Sequence, residues 1–217
     1  MLPSSEPLRK NTVLNVAGVV MLALYSLQNL IPGAASLPRP AAYALVAVFS
    51  LTAAALFFRE LRRDLPIFLD HFTSYCRFFF PKFFLFLLIY FAAAVTIAVI
   101  VGETSANQAA LTAFPKWMLL LLALVYAPVM EEILYRGFLR RVIADEALFI
   151  VVSAVIFGAI HMMHPGQDPL QFLYIIEYSL LGGFLAYLYA KTDNIFVSMM
   201  GHFFLNAIAA VPLLLTM

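Results

Sequence analysis

Seven residues on three hydrophobic stretches have types and spacings that suit chemistry: Glu131, Glu132 and Arg136, then Phe157 and His161, then His202 and Asn206. Carboxylates and imidazoles move protons near neutral pH, and imidazole or amide N–H groups stabilise a developing negative charge. A charged side chain at the centre of a spanning helix costs about 2.5 to 3.5 kcal/mol on insertion scales, so two adjacent glutamates in an apolar run mark a functional candidate. Glu132 and Arg136 stand four apart on one helical face, in the order that suits an ion pair. Glu131 is then rotated about 100° away and left for another task. The pairs Phe157/His161 and His202/Asn206 repeat the same spacing, so each presents one face of its helix.

The elements that position these groups read as membrane helices. The 217 residues are 64% hydrophobic and only 12% charged, too apolar for a soluble domain of this length. A net charge of +1 points to neither a nucleic-acid partner nor an acidic ligand. The pattern predicts an all-α, polytopic transmembrane bundle of about seven spans, each near the roughly 20 apolar residues a bilayer requires. They are expected at 12–32, 41–58, 79–101, from Pro115 and Lys116 through Arg141, 146–164, 170–190 and 195–214. The joints HPGQDP and KTDN are short, which makes the last three spans antiparallel neighbours. Residues 1–114 form an N-terminal unit of membrane helices plus the basic segment RELRRDLPIFLDHFTSYCR, and 115–217 a C-terminal four-helix core. The basic segment reads either as an amphipathic helix on the anionic leaflet, with His71 interfacial, or as a solvated loop.

Arg9 and Lys10 precede the first span as a signal's basic region would, but the stretch is long for a signal and lacks a small-x-small cleavage site before Pro32. With the N-terminus inside, eleven of the thirteen Lys and Arg fall in inner loops and only Arg39 and Lys116 outside. The expected topology is therefore N-terminus in and C-terminus out. Counting along the helices puts Glu131 about 14 Å from Arg140 and His202 about 12 Å from the joint before it. His161 comes out nearer roughly 22 Å, a mismatch that tilt or a deep start to its span would remove.

The three motifs, Glu131-Glu132-x-x-x-Arg136 with Pro128 before and Gly137 after, Phe157-x-x-x-His161 and His202-x-x-x-Asn206, resemble those of the CAAX-protease and bacteriocin-processing family of intramembrane proteases. All three are complete and in the family's order, over about 115–210, while the first three helices carry none. The resemblance implies a helical core around a water-filled cavity and an endopeptidase acting on a membrane-associated or lipidated peptide. In that reading Glu131 activates water with help from His161, and His202 and Asn206 stabilise the oxyanion. Glu132 and Arg136, with Phe157, support the site, and loss of Arg136 would leave a buried charge unpaired.

Family members are described both as metalloenzymes and as metal-free glutamate peptidases. Glu131, His161 and His202 would make a three-ligand zinc set, yet no H-E-x-x-H arrangement is present, and the metal-free form is favoured. Expected partners are membrane lipid and a membrane-bound peptide or protein. A non-catalytic immunity or scaffold protein is the main alternative. A proton-coupled transporter is the other, but the chain has no inverted repeat or pair of broken helices.

The remaining candidates read as structural. Cys76 is apolar filler and, as the single cysteine, excludes an internal disulfide. His164 lies beside Pro165 at the outer mouth, Gly182 and Gly183 mark close helix packing, and the Phe-rich run 78–86 is expected to face lipid.

Overall fold

The computed structural model describes residues 12–27, 38–111, 114–163 and 168–216. Among them are nine helices: α1 (Thr12–Leu27), α2 (Arg39–Leu56), α3 (Phe58–Asp70), α4 (Phe72–Val101), α5 (Ala106–Leu111), α6 (Lys116–Val142), α7 (Glu146–His161), α8 (Tyr174–Thr192) and α9 (Ile195–Thr216). A 3-10 turn, Pro169–Leu173, leads into α8. The outward surfaces are aliphatic, with Leu45, Leu88, Val99 and Val155 each more than half exposed, as lipid-facing side chains are.

Every expected hydrophobic segment forms a helix, and the protein is a helical membrane bundle. By length and composition three helices suffice singly to cross a bilayer: α4, α6, and α8 with its leading turn. The α2–α3 pair, bent by 68°, makes up to a fourth. The helices α1, α7 and α9 are apolar over shorter stretches. Residues 28–32 of the first expected span and His164 lie outside the described residues.

Local chemistry sets the boundaries. Pro115 precedes the first turn of α6, where a missing N–H costs nothing. Asp145 caps α7 by accepting from the Leu148 N–H at 2.7 Å. Gly102, at φ 81°, ends α4 in the left-handed conformation that only a residue without Cβ adopts readily. The basic segment divides at His71: α3 is an amphipathic helix, whereas Thr73 to Arg77 already belong to α4, which continues through Pro81.

Helix α3 is bolted to the core. Asp64 is fully buried, accepts from Arg63 at 2.6 Å and from the Ile195 N–H at 3.0 Å, and its own carbonyl accepts from Asn194 Nδ2 at 2.9 Å. Glu60 accepts from Arg141 at the end of α6.

The Phe-rich run does not face lipid as a block. Phe79, Phe83 and Phe86 are buried, with Phe79 stacked on Phe204 at 5.8 Å and Phe86 on Phe184 at 4.2 Å. Phe84 and Leu85 point outward. A uniform aromatic run carries no periodicity, so only the packed partners reveal which face turns in.

Two helical irregularities flank the glutamates. Leu122–Tyr126 and Ile133–Phe138 are π turns on either side of Ala127–Glu132. Pro128 offers no N–H, and its ring would strike the carbonyl four residues back, at Leu124; widening that turn accommodates it. Helices α7 and α8 approach closely at Gly182, where a Cβ would lie 2.6 Å from the Phe157 Cβ.

Candidate active site

The interior face of α6 carries a saturated and an unsaturated carboxylate side by side. Glu132 is fully buried. Its Oε1 accepts from Arg136 Nη1 at 3.0 Å and lies 2.8 Å from His202 Nδ1, while its Oε2 accepts from the Ser198 hydroxyl. Arg136, also fully buried, donates from Nη2 to the Gly182 carbonyl at 2.9 Å and sits over the Phe157 ring at 4.6 Å. Hydrogen bonds on both partners and a π face for the cation are what make a buried ion pair tolerable.

Glu131 is arranged differently. Its Oε2 is buried and has no hydrogen-bond partner, and it stands 4.0 Å from both His161 Nε2 and His202 Nε2. A buried carboxylate oxygen left unsatisfied is rare and calls for a chemical explanation. A single water about 2.8 Å from each of two groups 4.0 Å apart would subtend roughly 90°. The spacing suits a bridging water.

The imidazoles are oriented from behind. His161 Nδ1 lies 2.7 Å from the Phe157 carbonyl. A carbonyl only accepts, so Nδ1 carries the proton and Nε2 turns its lone pair toward Glu131. The His161 ring lies between Phe157, at 4.4 Å, and Tyr178, at 4.5 Å and 15° from parallel. Asn206 donates one amide hydrogen to the Ala123 carbonyl at 2.7 Å, leaving the second for the cavity.

Glu131, Phe157, His161, His202 and Asn206 line one cavity of about 190 Å³, which Leu119, Leu122, Leu205 and Ala210 make apolar toward α6 and α9. The structure thus brings all seven candidates from three helices to one place, these five on the cavity and Glu132 and Arg136 behind it. The depth mismatch of His161 counted along the helices is not found in the structure, where His161 Nε2 stands 4.0 Å from Glu131 Oε2.

Sequence reasoning missed Ser198 and Tyr178. Ser198 stands four before His202, so Ser198, His202 and Asn206 form one stripe, a signal that spacing carries. Tyr178 had only a weak one, being one of several polar residues on an apolar helix.

Among the described residues, no group of three or more His, Cys, Asp and Glu side chains is arranged to hold a metal ion. Zinc with ligand bonds of about 2.0 to 2.2 Å would place tetrahedral ligand atoms about 3.4 Å apart. The 4.0 Å separations about Glu131 are wider, so Glu131, His161 and His202 as placed do not fit that ion.

Comparison with known proteins bears on the same stretch. No solved structure matches the chain. A relative described as "Putative membrane peptidase YdiL", from Bacillus subtilis (strain 168), is 25% identical over 97 residues, 43% of this chain and 36% of the relative. The match therefore spans little more than a third of that protein's length. Residues 112–208, the segment that carries Glu131, His161, His202 and Asn206, match the family of Rce1-like type II CAAX prenyl endopeptidases.

Proposed function

We propose that this protein is an intramembrane endopeptidase of the glutamate type, acting on a membrane-associated or lipidated peptide. The observation that carries the reading is the buried, unpartnered Glu131 Oε2, 4.0 Å from the Nε2 atoms of two histidines in one cavity. The family match over residues 112–208 supports it.

In the proposed reaction a water between Glu131 and His161 gives its proton to Glu131 as its oxygen adds to the peptide carbonyl. The carbonyl oxygen becomes an oxyanion facing Asn206 Nδ2 and His202 Nε2. For His202 to donate there, its ring must carry protons on both nitrogens, because Nδ1 already faces Glu132. Each such donor is worth about 2.7 to 4 kcal/mol of transition-state stabilisation. The C–N bond then breaks as the amide nitrogen takes the proton from Glu131, yielding a carboxylic acid and an amine, and transfer of the acid's proton to the amine leaves a carboxylate and an ammonium. No step uses a metal, and activity should survive exhaustive chelation. The proposed setting is a bacterial cytoplasmic membrane, N-terminus inside.

The test uses purified protein in detergent and a quenched fluorescent peptide ending in farnesylated Cys-a-a-X, the substrate class that the matched family's name supplies. Comparative peptidomics of cells expressing wild type or Glu131→Gln accompanies it. Cleavage by wild type and its loss in Glu131→Gln is the expected result. Equal peptide profiles and equal probe turnover for the two proteins would leave a non-catalytic membrane protein instead.

A further inference from the structure

Between α4 and α6 the segment 103–111, which places Asn107 and Gln108 on the cavity wall, is tied to α8 and to the 3-10 turn that leads into it. The Tyr174 hydroxyl donates to the Glu103 carbonyl at 2.6 Å, Gln171 Nε2 donates to Glu103 Oε1 at 2.7 Å, and Gln171 Oε1 accepts from the Ala106 N–H at 3.0 Å. Deeper in, the Tyr178 hydroxyl lies 2.9 Å from Ser105 Oγ and accepts from Asn107 Nδ2 at 3.2 Å. Ser105 is fully buried and Tyr178 nearly so. Asn107 and Gln108 lie on the cavity wall beside His161.

The ring of Tyr178 does something its hydroxyl does not. It lies flat on the His161 imidazole at 4.5 Å and 15°, on a helix different from the one that carries His161. A hydrogen bond from Nδ1 to the Phe157 carbonyl fixes one point of the imidazole, but a ring pinned at one atom still rocks about that bond. The two flanking aromatics, Phe157 and Tyr178, remove that freedom. Tyr178 is itself held at its far end by Ser105 and Asn107, so the plane of the imidazole depends on where segment 103–111 sits.

We infer that Tyr178 is a positioning residue, which holds His161 so that Nε2 faces Glu131 and takes its own place from Ser105 and Asn107. The inference rests on the proposed hydrolysis for its catalytic consequence and on the ring geometry alone for its structural one. A small displacement of a proton-handling group is costly, on the order of tenfold to a hundredfold in rate. Tyr178→Leu should lower kcat by about that factor with KM nearly unchanged, and Tyr178→Phe, which keeps the stacked ring but frees its far end from Ser105 and Asn107, should show a smaller loss.

Two measurements decide the matter. In protein labelled with 15N-histidine, wild-type His161 should show a single tautomer protonated at Nδ1, with ring protons shifted upfield by the stacked tyrosine. Tyr178→Leu should lose the upfield shift and mix the tautomers, and an unchanged His161 spectrum would overturn the inference whatever the enzyme does. On the farnesylated peptide, Tyr178→Leu should cost nothing further in a His161→Ala background, because it acts through that imidazole. An equal fold loss in both backgrounds would mean a merely structural role. If Tyr178→Leu does not fold, Tyr178→Met, which fills the space without an aromatic face, is read the same way, while Ser105→Ala with Asn107→Ala, which frees the hydroxyl without touching either ring, should match Tyr178→Phe. Should wild type and Glu131→Gln behave alike on the peptide, hydrolysis at this site fails while the spectrum still decides the placement of His161.

Discussion

The two sides of α6 hold neighbouring glutamates in opposite conditions. On the Glu132 side every carboxylate oxygen is engaged, by Arg136, Ser198 and His202, and the cation is shared with the Gly182 carbonyl and the Phe157 ring. On the Glu131 side one oxygen is buried without a partner and two imidazole nitrogens stand 4.0 Å off. A buried network in which both carboxylate oxygens are engaged adds rigidity even with the Arg136 Nε left without a partner, whereas a carboxylate oxygen left free can take a proton. In the proposed reaction this contrast separates structure from chemistry within one turn of helix.

The sharpest way to break the comparison is Glu131→Gln. It should lower kcat by about 10² to 10⁴, or roughly 2.7 to 5.5 kcal/mol, while leaving the thermal midpoint in detergent where it was. A melting loss as large as that of Glu132→Gln would erase the distinction between the two sides. Arg136→Leu should act in the opposite sense, on folding first. It strands the buried Glu132 carboxylate and should cost about 3 to 5 kcal/mol of stability, read from thermal or denaturant unfolding of the detergent-solubilised protein.

Asn206→Ala sharpens the picture of the cavity. Removing the amide should reduce kcat by about 10² to 10³ with a modest effect on folding, because only the Ala123 carbonyl loses a partner. The smallest expected effect is that of Ser198→Ala, about 1 to 3 kcal/mol of stability from an acceptor left unpaired on Glu132. If Ser198→Ala abolished turnover without lowering stability, the Glu132 side would belong to the chemistry after all.

Helix-forming segments were largely legible, since the described residues of all seven apolar stretches fold as helices, although the third helix begins at Phe72, seven residues before its expected start. The break at His71 was not legible, because the basic segment continues a helical pattern across it and nothing in its residue types marks where α3 gives way to α4. The inward faces of Phe79, Phe83 and Phe86 were hidden for a related reason, as a run of one residue type has no polar side.

The sequence by itself singled out the candidate groups for chemistry and determined which of them share a face of each helix, because four-residue spacing and the cost of charge in lipid are local properties of the chain. It determined the Glu132–Arg136 pair for the same reason. Only the tertiary structure decided that His161 reaches Glu131, since that depends on how α7 packs along α6. It alone decided that Ser198 completes the Glu132 network and that Tyr178 lies on His161. Such contacts join residues many positions apart on different helices, and their existence follows from how the helices pack, which no local pattern encodes.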